Sequence, residues 1–273
     1  MQKFQTFDDI TLAYRDEGKG LPVLCLSGLT RNSSDFDYVA PLLDGVRLIR
    51  LDYRGRGASD WADPATYTVP TEGRDALALL DHLGVEKAAI LGTSRGGLIA
   101  MALALGAKDR MIGACLNDIG PEIAPEGLAM IGAYLGKNPG QDNFADAARA
   151  RARFMEGFRN VPESRWMEEV QKHFRLTDEG LVINYDPDLA RVFEPSGDVE
   201  PPNIWDWYAA LAGLPVALLR GANSNLLSAD TAAEMQRRRP DLIYAEVPDR
   251  GHVPFLDEPE SVAVIRTWLE ACR

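Results

Sequence analysis

Along most of the chain, short runs of apolar residues alternate with longer stretches in which apolar positions recur every three or four residues. The runs are LPVLCLS (21–27), VRLIRLD (46–52), KAAILG (87–92), MIGACLND (111–118), PVALLR (215–220) and LIYAEV (242–247). Between them, TEGRDALALLDHLG (71–84), SRGGLIAMALALG (94–106) and PESVAVIRTWLEA (259–271) carry the helical period. Repetition of strand, helix, strand predicts a parallel sheet sandwiched between helices, an α/β fold. The opening FQTFDDITLAYRDEG alternates around Asp8 and Asp9 and reads as an antiparallel hairpin at the sheet edge.

One interval breaks this rhythm. From about Gly120 to Gly213 the pattern is mostly helical, with Pro-, Gly- and Asp-rich loops such as FEPSGDVEPPN (193–203). The reading is therefore a core built from residues 1–119 and 213–273 with a helical insertion at 120–212. Eleven of the 22 aromatic residues fall in this interval. Such rings build a small helical core, but an insertion between sheet strands also lies over the strands' carboxyl ends, where sheets of this type bind ligands. On that ground Tyr134, Trp205 and Trp207 are candidate substrate-binding residues.

Composition narrows the partners. At 273 residues, with 46% hydrophobic and 26% charged residues, the chain reads as one globular domain carrying an insertion. Its net charge of −12 disfavours nucleic acid and leaves a small-molecule substrate as the expected partner. The N-terminus has no apolar core of signal-peptide length and no segment keeps a membrane-spanning apolar run, so the expectation is cytoplasmic residence without membrane contact. Three cysteines and three scattered histidines fit neither a disulfide framework nor a zinc signature, and no metal or other cofactor is expected. Arg237-Arg238-Arg239 ends a predicted helix, where cations suit the dipole. Nothing in the pattern speaks to oligomeric state.

The chemistry concentrates in AAILGTSRGGLIAMALA. Gly92-Thr93-Ser94-Arg95-Gly96 fits G-x-S-x-G and follows a strand-like run and precedes a helical one, the context that gives the motif meaning. A serine on so sharp a turn needs an unusual backbone angle, and the flanking glycines let strand and helix approach. Its hydroxyl then projects at a helix N-terminus, and a base is required to take its proton. His252, in a Gly-His-Val-Pro loop after the last predicted strand, is the candidate base; His82 and His173 lie in helical patterns and read as surface or packing residues. For the oxyanion, the N–H of Arg95 and the N–H of Leu29, in the Ser27-Gly28-Leu29-Thr30 loop, are the candidate donors. Gly55 and Gly57 begin a dinucleotide fingerprint, but Asp60 stands in the third glycine's place, so DYRGRGASD reads as a tight structural turn.

Taken in order, the hairpin, the SGLT loop, DYRGRGASD, GTSRGG, LNDIGP, a helical interval, RGANSNLLS and GHVPFLDEP resemble the α/β-hydrolase family over nearly the whole chain. The resemblance implies a mostly parallel eight-stranded sheet flanked by helices, with the insertion as a cap roofing the substrate pocket, and a cofactor-independent serine hydrolase of a small or medium ester. Ser27 departs from the family's usual histidine at an HG pair. The second departure concerns the acid that orients the histidine: RGANSNLLS looks like the loop that supplies it in similar hydrolases, with Asn225 in the acid's place. An Asn fixes the tautomer without supplying charge. Asp118, at the end of MIGACLND, is the alternative, because relatives resembling haloalkane dehalogenases place their acid after this strand; its structural role would be to tie the chain to nearby backbone N–H groups. Two further readings stay open: a hydrolase-fold ligand binder impaired by Asn225, and carbon–carbon bond or lactone hydrolysis through similar oxyanions.

Overall fold

A computed structural model of the chain describes residues 1–155, 157–193 and 202–273. Its elements follow in the order β1 (Gln2–Gln5), β2 (Thr11–Gly18), β3 (Leu21–Leu26), β4 (Val46–Leu51), α1 (Val69–His82), β5 (Ala88–Thr93), α2 (Arg95–Gly106) and β6 (Met111–Asn117). After β6 come α3 (Pro125–Tyr134), α4 (Phe144–Phe154), α5 (Glu163–His173), β7 (Phe174–Thr177), β8 (Gly180–Ile183) and α6 (Ile204–Ala210). The chain closes with β9 (Val216–Gly221), α7 (Ala229–Arg238), β10 (Ile243–Val247) and α8 (Pro259–Ala271).

Eight strands form one sheet in the order β1-β2-β4-β3-β5-β6-β9-β10, antiparallel at β1/β2 and β2/β4 and parallel from β4 to β10. All six apolar runs are strands, and the opening segment is the edge hairpin, with Gln2 opposite Tyr14. The central strands are apolar along their whole length because both faces are covered. On β3, Leu24 and Leu26 join the cluster packed under α1, α2 and α7, whereas Val23 and Cys25 face the opposite cluster under α8, with Ile265 and Trp268. Burying one such Leu contributes roughly 1.5–3 kcal/mol, so both layers hold the sheet rigid.

Between β6 and β9 the pattern is mostly helical as read, with one addition. FRLTDEGLVI pairs as the two-stranded β7/β8 hairpin, Phe174 opposite Ile183. Its turn holds Gly180 at φ 107°, and Thr177 Oγ1 donates to the Gly180 carbonyl. A T-D-E-G turn between alternating residues was the available signal. Of the loop read at 193–203, residues 194–201 lie outside the described residues.

Candidate active site

Ser94 sits at the junction of β5 and α2 with φ 50° and ψ −113°, a left-handed conformation that costs a non-glycine residue of order 1–3 kcal/mol. The surroundings over-determine it. A Cβ on Gly92 would stand 2.5 Å from the Gly96 carbonyl carbon, and one on Gly96 would stand 2.0 Å from the Leu26 carbonyl oxygen. Only glycines let β3, β5 and α2 close to this distance, and that closeness pushes the Ser94 hydroxyl out of the turn. Ser94 N–H donates to Asn117 on β6 at 3.0 Å, and Gly97 and Leu98 donate to the Ser94 carbonyl.

The loop after β10 brings His252 to this hydroxyl. Nε2 lies 2.9 Å from Ser94 Oγ, and Nδ1 lies 2.7 Å from Asp118 Oδ2. Asp118, fully buried at the end of β6 and itself at φ 54°, accepts two more bonds: from Gly221 N–H at Oδ1, 2.7 Å, and from Ser224 Oγ at Oδ2, 2.6 Å. Ser224 accepts from the N–H groups of Leu226 and Leu227, so its own proton is free to point at Asp118. Gly221 N–H and the Ser224 hydroxyl both donate to the Asp118 side chain, which is thereby set as an acceptor facing His252. Nδ1 of His252 then carries the ring proton and Nε2 is left to accept from the Ser94 hydroxyl.

The two residues considered for orienting His252 are thus separated. Asp118 is on the imidazole; Asn225 is exposed, and its Nδ2 donates to Met130 Sδ at 3.0 Å. The turn closed by Ser224 N–H on the Gly221 carbonyl presents Ser224, not Asn225, to the end of the sheet. Asn225 is therefore corrected to a surface residue of α3's neighbourhood. The RGANSNLLS loop contributes instead the backbone and hydroxyl donors that hold Asp118.

Leu29 lines the same cavity as Ser94, and Arg95 follows Ser94 in sequence. The Leu29 carbonyl accepts from Arg56 Nε at 2.9 Å, which turns that peptide, and the Leu29 N–H finds no acceptor among the described residues. Arg56 is fully buried and paired with Glu72 at 2.8 Å, and Glu72 also receives Arg95 Nε at 2.7 Å. DYRGRGASD is thus a structural turn that braces the SGLT loop. Gly28 takes no positive φ; a Cβ there would crowd the Arg31 side chain, 3.3 Å from its Cδ, and would touch Ser94 Cβ only at ordinary contact distance, 3.8 Å. Arg95 N–H is in the first turn of α2, where helical N–H groups have no partner within the helix.

Ser94, His252 and Leu29 open into a cavity of about 440 Å³. Tyr134 lines it. Trp205 and Trp207 do not, because α6 packs beside α2 on a sheet face rather than over the strand ends. Trp205 donates to Glu122 at 2.8 Å and lies under Arg238, and Trp207 packs on the core. These two expectations are corrected accordingly.

Sequence reasoning missed a buried charge cluster at the cavity's edge. Arg31 meets Asp35 at 3.2 Å and Glu169 at 3.4 Å, and His173 Nε2 lies 2.9 Å from Asp35. Burial would raise the Asp35 carboxyl, but Arg31, His173 and Lys172 outweigh it and hold it at about 2. Burial and then Arg31 push the His173 imidazole below its ordinary 6.5, against the pull of Asp35. His173 and Asp35 are 138 residues apart in sequence, and only the i, i+4 spacing of Glu169 and His173 on α5 hinted at a pair.

Residues 23–265 match the model of the alpha/beta hydrolase family. The chain is 39% identical over 254 residues to the 3-hydroxybutyrate-oligomer hydrolase of Cupriavidus necator, covering 89% of this chain and 86% of that protein. It is 27% identical over 265 residues to the 2-(acetamidomethylene)succinate hydrolase of Mesorhizobium japonicum, covering 96% and 92%. The crystal structure of an alpha/beta hydrolase from Novosphingobium aromaticivorans superposes with a TM-score of 0.91 at 38% identity, over 99% of this chain and 97% of that one. Motif order, sheet topology and these similarities agree: the chain belongs to the alpha/beta hydrolase family.

Proposed function

We propose that the chain is a serine hydrolase that cleaves a small or medium ester through an acyl-enzyme, without a cofactor. The observation that carries this is the continuous hydrogen-bonded series Ser94 Oγ, His252 Nε2, His252 Nδ1, Asp118 Oδ2 at the mouth of a cavity. Ser94 attacks the ester carbonyl as His252 takes its proton; the tetrahedral oxyanion rests on the N–H groups of Leu29 and Arg95. The acyl carbon–oxygen bond then breaks, the alcohol leaves with the proton from His252, and water, deprotonated by His252, releases the acid and restores Ser94. Asp118 holds the productive tautomer and offsets the charge on the imidazolium. Residues 120–212 serve as the cap: Ile131, Tyr134, Arg151, Phe154 and Phe174 from that interval line the cavity with Ser94.

The similarity to a 3-hydroxybutyrate-oligomer hydrolase supports a short hydroxy-acid ester as the substrate class. The reading of an impaired ligand binder rested on Asn225, and Asp118 against His252 removes its motive. A fluorophosphonate probe followed by mass spectrometry tests the proposal. Labelling of the Ser94 peptide, lost in Ser94→Ala, is expected; labelling elsewhere, or labelling that persists in that variant, overturns it.

A further inference from the structure

Although the chain as a whole carries a charge of −12, the charged residues lining the cavity are Arg31, Lys137 and Arg151, with no Asp or Glu among the described lining residues. Histidines apart, these three differ in how they are satisfied. Arg31 is held by two carboxylates, and Lys137 Nζ donates to the Ala133 carbonyl at 2.9 Å. The Arg151 side chain, on α4, makes no hydrogen bond or ion pair with any described residue, and its buried Nε has no hydrogen-bond partner among them. Burial and then the neighbouring Arg31 both disfavour its charge, and the pull of Glu169 does not reach contact.

An unpaired guanidinium in a partly buried wall is costly, and a ligand that supplies the missing acceptor recovers that cost. Its planar fork matches a carboxylate with two parallel N–H···O bonds. The neighbouring lining side chains, Ile131, Ala147, Phe154, Phe174 and Ile183, are apolar and accommodate a short hydrocarbon chain.

We propose that Arg151 is the anchor for a free carboxylate on the substrate, so that the cavity selects short esters that carry an acid group over neutral esters of the same shape. This deepens the ester-hydrolase reading and rests on it for the position of the scissile bond. Because the anchor is fixed in the cavity, the carbonyl presented to Ser94 is set by its distance along the substrate from the free acid.

The test is binding rather than turnover. Ser94→Ala is titrated calorimetrically with the linear dimer of 3-hydroxybutyrate and with the primary amide of that dimer, which keeps the shape and removes the charge. The acid is expected to bind at least about tenfold tighter, the range of a charge-assisted pair. Adding Arg151→Met should bring the acid-to-amide ratio to within about twofold, and Arg151→Lys should keep part of it, since a point charge lacks the fork. Equal binding of acid and amide, binding of neither, or a preference that survives Arg151→Met overturns the anchor. Hydrolysis of the 3-hydroxybutyrate dimer by the unmodified chain is read separately. Ser94-dependent turnover without an acid preference overturns the anchor alone, whereas no Ser94-dependent turnover overturns the hydrolase reading while the binding ratio still decides the anchor.

Discussion

Two histidines line the same cavity, and each shares a hydrogen bond with a buried aspartate: His252 with Asp118 at 2.7 Å and His173 with Asp35 at 2.9 Å. The pairs look alike as lists of residues and differ in what surrounds them. At His252 the second ring nitrogen meets the Ser94 hydroxyl, while the second nitrogen of His173 makes no hydrogen bond and has only Glu169 Oε2 near it, at 3.9 Å. Asp118 is fed by a backbone N–H and a hydroxyl, so its acceptor capacity is met by neutral donors. Asp35 instead answers Arg31, within a cluster that also contains Glu169 and Lys172, and burial and then Arg31 discourage a proton on His173. On the serine-hydrolase reading proposed above, the difference between the two pairs is that the far nitrogen of His252 addresses a hydroxyl and the charge of its aspartate is not already claimed.

That contrast can be broken at several points. Replacing His252 with Ala is expected to lower kcat on an aryl ester by about 10⁵–10⁶, as losing one member of such a unit does, while His173→Gln should cost less than about tenfold. The steady-state rates of the two variants decide it; comparable losses would erase the distinction. Ser224→Ala removes one donor from Asp118 and should lower kcat by about tenfold, the size of one hydrogen bond to a charged group.

His173 should show its own character in stability. Its folded-state affinity for a proton lies below the ordinary 6.5, so the unfolded chain takes up the proton first and stability rises with pH through this window. As pH falls below about 6.5 the folded state therefore loses ground, and His173→Gln should flatten that slope between about pH 5 and 6.5. Urea denaturation across the range measures it; an unchanged slope would contradict the assignment. Smallest of all, Asn225→Asp should alter kcat by no more than about twofold, since a surface substitution outside the network moves free energies by at most ~0.5 kcal/mol.

Much of this was readable in the amino-acid order, and the exceptions share a cause. Alternation on β3 and the G-x-S-x-G turn are local patterns, legible in sequence, although the packing of α2 against β3 completes the projection of Ser94. The approach of His252 follows from β10 lying at the end of the sheet order, with only a short loop to deliver it. The choice between Asp118 and Asn225 was not local: both follow the neighbouring parallel strands β6 and β9, and a single turn closed by Ser224 determines which side chain faces inward. Trp205 and Trp207 misled for a related reason, because aromatic content does not encode which surface a short helix will seek. Arg31 with Asp35 and Glu169 with His173 sit four residues apart, but no spacing rule joins these two pairs to each other or to Arg151.

The orientation of His252 by Asp118 is tested most directly by nitrogen-15 NMR of the histidine side chains at alkaline pH, where imidazoles are neutral. The expectation is a His252 ring protonated at Nδ1 in the unmodified chain and in Asn225→Asp, with that tautomer lost in Asp118→Asn alongside a fall in kcat of about 10⁴. A ring protonated at Nε2 in the unmodified chain, or a spectrum and rate that respond to position 225 and not to position 118, would contradict it.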